Sequence, residues 1–457
     1  MKILLVNPPP RSINEPNTLV PPLGLGYLAA VLEKNKIGVE ILDASALQLS
    51  WEEFKQEVKR RHPSIIGYTG TTPAIDTTFK AARISRPYSK YQVLGGPHAT
   101  LFGKEVFQQS SDFDYLVIGE GEYIFLELAR NLIAKKDPST LAGLITKKKT
   151  NPRPPAIKDL DALPFPTRHL LPNHLYRYDL VKKYPFTTII SSRGCPYGCL
   201  FCEKSVFGNL YRARSAENVV AEIEDLVKKE HVRTIIFFDD LFTVNRARVI
   251  RICQLMIEKK LKIDWKAEAR VNTVDEEMLK IMKKAGCSVL GYGVESANQK
   301  SLDFLKKGTT VAQIKKVFRL TKKVGIKALG YFIFGIPGET YREAQKTIDL
   351  SLKISDFAAY NILTPYPGTP LYQLAQQKGW LKATDKARNP FDQHNHKAAL
   401  VSPEWSEADL RKILAEANRR YFFRPRFILN QIVSFQSPTQ ILTTFRYGWR
   451  VLKWYLK

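Results

Sequence analysis

Short apolar runs recur along the first 120 residues, at 2–7 (KILLVN), 39–44 (VEILDA), 65–69 (IIGYT), 92–96 (QVLGG) and 115–119 (YLVIG). Each has the length of a strand. Between them lie helical patterns at 23–34, 51–61 and 75–86. Strands alternating with helices predict a parallel sheet covered on both faces, an α/β doubly wound domain over 1–146.

The pattern then breaks. Residues 147–180 open with three lysines and continue as NPRPPAIKDLDALPFPTRHLLP. Proline at this density disfavours helix and central strand, so an extended linker is expected. From about residue 181 the alternation returns. Candidate strands are 187–191, 234–239, 264–269, 289–294, 328–334 and 359–363, with long amphipathic helices between them, such as 216–230 and 310–324. About six βα units in a row predict a full or partial TIM-like (β/α)6 barrel over 181–380, with its active site at the carboxyl ends of the strands. Residues 381–457 carry no strand signal and read as a basic, aromatic, mainly helical tail.

Length agrees with about three domains, and 44% hydrophobic residues suffice for buried cores. No apolar run reaches the roughly 20 residues of a membrane span, and the N-terminus lacks the pattern of a signal peptide, so a cytoplasmic location is expected. The net charge of +26 implies an anionic partner: acidic lipid, an acidic electron carrier, a phosphorylated substrate or nucleic acid.

Of the five cysteines, three fall within eight residues, Ser192-Arg193-Gly194-Cys195-Pro196-Tyr197-Gly198-Cys199-Leu200-Phe201-Cys202, just after the first barrel strand. An odd, clustered set is a poor disulfide framework and a good metal site. Three thiolates at C-x3-C-x2-C converge on one cubane only if the loop curls tightly, which Gly194 and Gly198 permit. Three protein ligands leave one iron of a four-iron cluster open. Structural zinc wants four ligands, and the next His or Cys in the chain is the distant His231. Cys253, on a helix over 248–258, and Cys287, at a helix end, read as buried small hydrophobes.

The cysteine spacing, with aromatic Phe201 before the third thiol, resembles the signature of the radical S-adenosylmethionine (SAM) superfamily. That resemblance implies a [4Fe–4S] cluster on Cys195, Cys199 and Cys202, with SAM bound beside it. Successive strand ends match the family's order. FFDDLFT places Asp239 and Asp240 near the SAM amino group, and Arg270 takes the methionyl carboxylate. GYGVESAN offers Glu295 and Ser296 to the ribose. FIFGIPGE (Gly335, Gly338, Glu339) and TPYPGTP (Pro365 to Pro370) resemble platforms around the adenine.

The N-terminal stretches PPLGLGYLAAVL, IIGYTGTT, VLGGPHAT and VIGEGE resemble the cobalamin-binding domain found ahead of many such barrels. The dinucleotide fingerprint fits poorly, because Gly24-Leu25-Gly26 does not directly follow the first strand. The cobalamin resemblance implies that Gly95 and Gly96 let the nucleotide tail pass close to backbone and that Thr69 bonds it. The D-x-H-x-x-G loop of histidine-ligated cobalamin proteins is replaced by NPPPRSIN, so His98 is expected near the tail rather than on cobalt.

Together the resemblances, which cover about residues 1–380, imply hydrogen abstraction from an unactivated carbon followed by methyl transfer from cobalamin. The alternatives are a radical cyclase or oxidase like the anaerobic magnesium-protoporphyrin ester cyclases, or a non-catalytic cobalamin- or nucleic-acid-binding protein. Expected partners are a small, lipid-like substrate and an acidic flavodoxin- or ferredoxin-type electron donor. Residues 411–457 hold ten Lys or Arg and one acid among many aromatics; this suits either a helical cap whose aromatics pack on the barrel with its charges in water, or peripheral contact with the inner membrane face, as interfacial helices make. Nucleic acid is the least favoured partner.

Overall fold

The computed structural model describes residues 1–10, 18–382 and 399–425. Its first sheet comprises β1 (Ile3–Asn7), β2 (Val39–Asp43), β3 (Ile65–Thr69), β4 (Tyr91–Gly95), β5 (Tyr115–Val117) and β6 (Leu144–Thr146). The order is β2-β1-β3-β4-β5-β6. β1 through β5 are parallel, and β6 adds antiparallel to β5.

Period-two alternation explains why these apolar runs are continuous. Ile3 and Leu5 enter one core with Leu25, Ala29 and Phe125, while Leu4 and Val6 enter another with Phe54, Val58 and Ala81. Both faces are covered by helices, so neither set of side chains is polar. β1 lies between β2 and β3, so the chain reverses its direction of travel across the sheet there. The carboxyl ends of β1 and β3 consequently open a crevice at the topological switch point, where such sheets bind ligands.

The second sheet comprises β7 (Phe186–Ile189), β10 (Thr234–Phe237), β11 (Asp264–Ala269), β12 (Cys287–Glu295), β13 (Lys327–Phe334) and β14 (Phe357–Ile362). All its pairs are parallel and its strands follow in chain order, as in a partial barrel. Between β7 and β10 a two-residue ribbon, β8 (Ser192–Arg193) with β9 (Arg212–Ala213), pairs antiparallel. Alternate residues of the barrel strands, such as Trp265, Ala267 and Ala269 of β11, pack outward on the helices.

Three expectations need correction. The proline-rich segment is more than a spacer: Leu160, Leu163, Leu171, Tyr176 and Val181 are buried in one cluster with Ile3 of β1 and with Phe186 and Ile236 of the barrel. Tyr176 also donates to Asp43 Oδ2 at 2.8 Å, on the first sheet. The segment therefore fills the seam between the sheets. β6 escaped prediction because three residues show no periodicity. Cys287 opens β12 instead of ending a helix, because Gly286 turns the chain at φ +99°, where a Cβ would lie 2.1 Å from Ile263 O.

The described part of the tail holds two isolated β-bridges, Leu381 with Leu400 and Ser402 with Trp405, and a helix, Glu407–Phe422, whose Leu410, Ile413 and Ala417 pack with Phe334 and Ile348. Phe427, Phe435, Phe445, Tyr447, Trp449, Trp454 and Tyr455 lie outside the described residues.

Candidate active site

The ribbon pairs Ser192 with Ala213 and Arg193 with Arg212, so it closes the base of the loop over 194–211 that carries the three cysteines. Gly194 sits at φ +82°, and a Cβ there would come within 2.3 Å of Leu210 O. Gly198 meets nothing within 4 Å, so the glycine angles of the curl are those of Gly194 and of Gly208, at φ +72°. Leu200 ties the loop down: its N–H donates to Leu305 O at 3.0 Å and its carbonyl accepts from Leu371 N at 2.9 Å. Lys204 Nζ closes the turn by donating to the carbonyls of Cys195 (3.0 Å) and Tyr197.

Cys195 and Cys199 are half-buried and Cys202 is exposed. Arg270 lies against this loop, with Nη1 3.4 Å from Cys199 Sγ and its guanidinium 3.8 Å from the Tyr197 ring centre. His231, the next His or Cys after the loop, precedes β10 at the opposite end of the barrel. Three thiols on one glycine-curled loop with no fourth ligand nearby in sequence fit a cluster that keeps an open iron. Among the described residues, no three His, Cys, Asp or Glu are grouped to hold a single metal ion.

Asp239 is buried and fully engaged, accepting from Ser191 N at 2.6 Å, Ser191 Oγ and Ser192 Oγ at 2.8 Å. It shapes the entry to the cysteine loop. Asp240 is exposed and accepts Gly194 N–H through Oδ2 at 3.0 Å. Glu295, at φ +65°, pairs with buried Lys307 at 2.5 Å. Ser296 donates to Glu339 Oε1 at 2.8 Å, as do Ser301 and Asn298 at 2.9 and 3.0 Å. Burial raises the Glu339 carboxyl above its usual range, and these three donors oppose that shift. Gly335, at φ +85°, faces Leu410 of the C-terminal helix, where a Cβ would lie 2.6 Å from Cδ2. Pro365 is buried just beyond β14.

In the first domain, a cavity of about 190 Å3 opens at the switch point, lined by Asn7, Pro8 to Pro10, Ser45, Thr69, Thr71 and Thr78 among others. Thr69 ends β3 beside it. Gly96 has φ +88° and ψ −168°, a conformation open essentially to glycine alone, and a Cβ would lie 2.8 Å from Thr69 Oγ1. Gly95 is less constrained, its nearest neighbour being Val117 O at 3.8 Å.

His98 lies on the short helix Pro97–Phe102, 2% exposed. Nδ1 is 3.2 Å from Thr72 Oγ1 and Nε2 is 2.9 Å from Gln109 Oε1, so both ring nitrogens are taken. Burial lowers its pKa to about 4. A glycine cradle beside a polar crevice at the switch point, with this histidine occupied, fits a cobalamin held without His98 on cobalt.

Two residues of consequence lay inside a matched stretch without being singled out. Glu120 and Glu122, of VIGEGE, sit at the start of the helix Gly121–Ile133 in the first domain and reach into the second. Glu122 pairs with Arg193 Nη2 at 2.5 Å. Glu120 accepts from Arg212 through both oxygens and from Arg193 Nη1 at 3.4 Å. All four side chains are at most 8% exposed. The first domain thus holds both strands of the ribbon that brackets the cysteine loop. An exposed-looking acid pair after a strand gives no sequence signal for this, since its partners lie 71 to 92 residues away.

Residues 189–351 match the Radical SAM superfamily model and residues 13–129 the B12 binding domain model. The chain is 35% identical over 448 residues to an uncharacterized methyltransferase of Pyrococcus horikoshii, covering 94% of this chain and 95% of that one. It is 29% identical to the anaerobic magnesium-protoporphyrin IX monomethyl ester cyclase of Rubrivivax gelatinosus, over 89% of this chain and 75% of the relative. The fold superposes on the radical S-adenosylmethionine methyltransferase TsrM of Kitasatospora setae with a TM-score of 0.72 at 19% identity, covering 92% and 90% of the two chains. The chain therefore belongs to the B12-binding radical SAM family, whose cofactors are a [4Fe–4S] cluster, S-adenosylmethionine and cobalamin.

Proposed function

We propose that this enzyme transfers a methyl group to an unactivated carbon of a small, lipid-like molecule. When bound, the cluster and SAM supply the radical that abstracts hydrogen, and cobalamin supplies the methyl group. The observation that carries the reading is the buried Glu120/Glu122 contact with Arg193/Arg212. It fixes the cobalamin-type domain against the cysteine loop, as a reaction needing both cofactors on one substrate requires. The near-full-length likeness to a chain named as a methyltransferase supports it.

In this reading Cys195, Cys199 and Cys202 ligate the cluster. Asp240 is the carboxylate left for the SAM ammonium, since Asp239 is consumed by Ser191 and Ser192. Arg270 orients the methionyl carboxylate from beside Cys199. Glu295 meets the ribose while Lys307 holds it, and Ser296 braces that turn through Glu339. Backbone near Gly335 and Pro365 borders the adenine. Thr69, Gly95 and Gly96 receive the cobalamin tail, with His98 packed behind them. An acidic flavodoxin- or ferredoxin-type donor reduces the cluster.

The likeness to the ester cyclase favours a second reading, radical cyclisation without methyl transfer. Anaerobic reconstitution with SAM labelled in its methyl group separates the two. Label in a product carbon supports methylation, whereas unlabelled product with 5′-deoxyadenosine supports cyclisation. The substrate is sought by comparing lipids and metabolites of native and deletion cells.

A further inference from the structure

The six parallel barrel strands place all their amino ends on one face, opposite the cysteine loop. The connections entering those strands carry a one-sided charge. Lys182, Arg233, Lys260, Lys262, Lys284 and Lys353 are all exposed, and among the described residues none makes an ion pair. The carboxylates at this end are already neutralised: Asp264 pairs with Lys183 at 3.1 Å and Asp356 with Lys327 at 3.8 Å. Glu230 and Asp179 are the acids left without an ion pair in these connections among the described residues.

Lysines at helix carboxyl ends offset the helix dipole, which accounts for Lys284 and Lys353, in the last turns of their helices. It does not account for Lys182, Arg233, Lys260 and Lys262, which lie outside helices. Beside Lys182 the ring of Tyr184 is 42% exposed, the placement of an interfacial aromatic.

The C-terminal helix ends at this same face. Tyr421 donates to Asp356 O at 2.6 Å and Arg424 to Leu352 O at 3.1 Å, immediately before β14. In sequence, residues 426–457 then add five Lys or Arg, no acid, and aromatics throughout.

We propose that this amino-terminal face of the barrel docks on the surface of an anionic phospholipid bilayer. The charge is spread over the connections entering five of the six strands instead of lining a groove, which suits a planar anionic surface better than a nucleic-acid strand. An acidic electron donor needs the opposite end, where the cysteines lie. Docking is independent of whether methyl is transferred, because it is read without turnover.

The test is sedimentation of the full-length chain with vesicles of phosphatidylcholine, alone or mixed with phosphatidylglycerol. Binding is expected only to the mixture and is expected to fall as salt rises. The combined variant Lys182→Gln, Lys260→Gln, Lys262→Gln, Lys284→Gln should lose more than about tenfold in partitioning. A control neutralising Lys59, Lys104, Lys135 and Lys136, exposed on the first domain, should bind as the native chain does. Both variants should retain native circular dichroism and iron content. Indifference of the native chain to anionic vesicles at low salt overturns the proposal, as does equal loss in both variants. Binding to single-stranded oligonucleotide with no binding to vesicles overturns it in favour of a nucleic acid.

Discussion

Replacing Glu120 with alanine removes the carboxylate shared by Arg193 and Arg212. Its side chain is 4% exposed, as is that of Arg193, and Arg212 is 6% exposed. Deleting one partner of a buried ion pair costs about 3–5 kcal/mol, because the other charge stays buried. Arg193 keeps Glu122, and Arg212 keeps the Ile157 carbonyl at 2.5 Å. The expected loss is therefore near the lower end, about 3 kcal/mol. Urea unfolding of the full chain, followed by tryptophan fluorescence, should show a clearly lower midpoint for the transition that includes the barrel. Glu127→Ala breaks an exposed pair with Arg130, 44% and 49% exposed, and should cost less than about 1 kcal/mol. Removing both charges at once, in Glu120→Leu with Arg212→Met, should recover much of the loss. Iron per chain after reconstitution should fall in Glu120→Ala, since the ribbon that bases the cysteine loop loses its support. An unchanged midpoint in Glu120→Ala, or a double variant as unstable as the single, would refute the reasoning.

Further expectations follow from the site. Cys199→Ala should abolish both iron binding and 5′-deoxyadenosine formation, while Cys253→Ala and Cys287→Ala, buried away from the loop, should leave iron per chain unchanged. His98→Ala should leave the visible spectrum of bound cobalamin unaltered, because both ring nitrogens already have protein partners. The same histidine sets a pH dependence: with its pKa lowered from 6.5 to about 4, the unfolded chain takes up a proton across that window that the folded chain does not. Stability should fall as pH drops from about 6.5 toward 4, with a shallower slope in His98→Gln, measured by urea midpoints. Gly96→Val should weaken cobalamin retention on gel filtration, since neither its backbone angles nor Thr69 accommodate a side chain. Gly335→Ala should destabilise by about 1–3 kcal/mol through strain and contact with Leu410, in the same unfolding assay.

The cysteine loop was legible because its chemistry is local: three thiols and a turn glycine within nine residues need no distant partner to be recognised. Gly96 read as a place where a cobalamin tail passes close to backbone; the structure gives it a φ of +88° and puts Thr69 Oγ1 where a Cβ would lie. Which carboxylate is available was not legible. Asp239 and Asp240 are neighbours with the same chemistry, and only the return of Ser191 and Ser192 beside β10 consumes one of them. Gly335 read as part of an adenine platform, yet its missing Cβ also makes room for Leu410, 75 positions on.

What the chain determines by itself is whatever short-range physics encodes. Continuous apolar runs alternating with amphipathic helices specify two parallel sheets, because each run must bury both faces. The C-x3-C-x2-C spacing puts three thiols on one short loop after the first barrel strand. Tertiary structure alone decided how the two halves register. The linker's Leu160, Leu163 and Tyr176 became core, and Glu120 and Glu122 became the partners of Arg193 and Arg212, because burial of a charge is tolerable only where an opposite charge arrives with it. It also gathered basic residues from five separate connections onto one face, since strands that run parallel must begin at the same end.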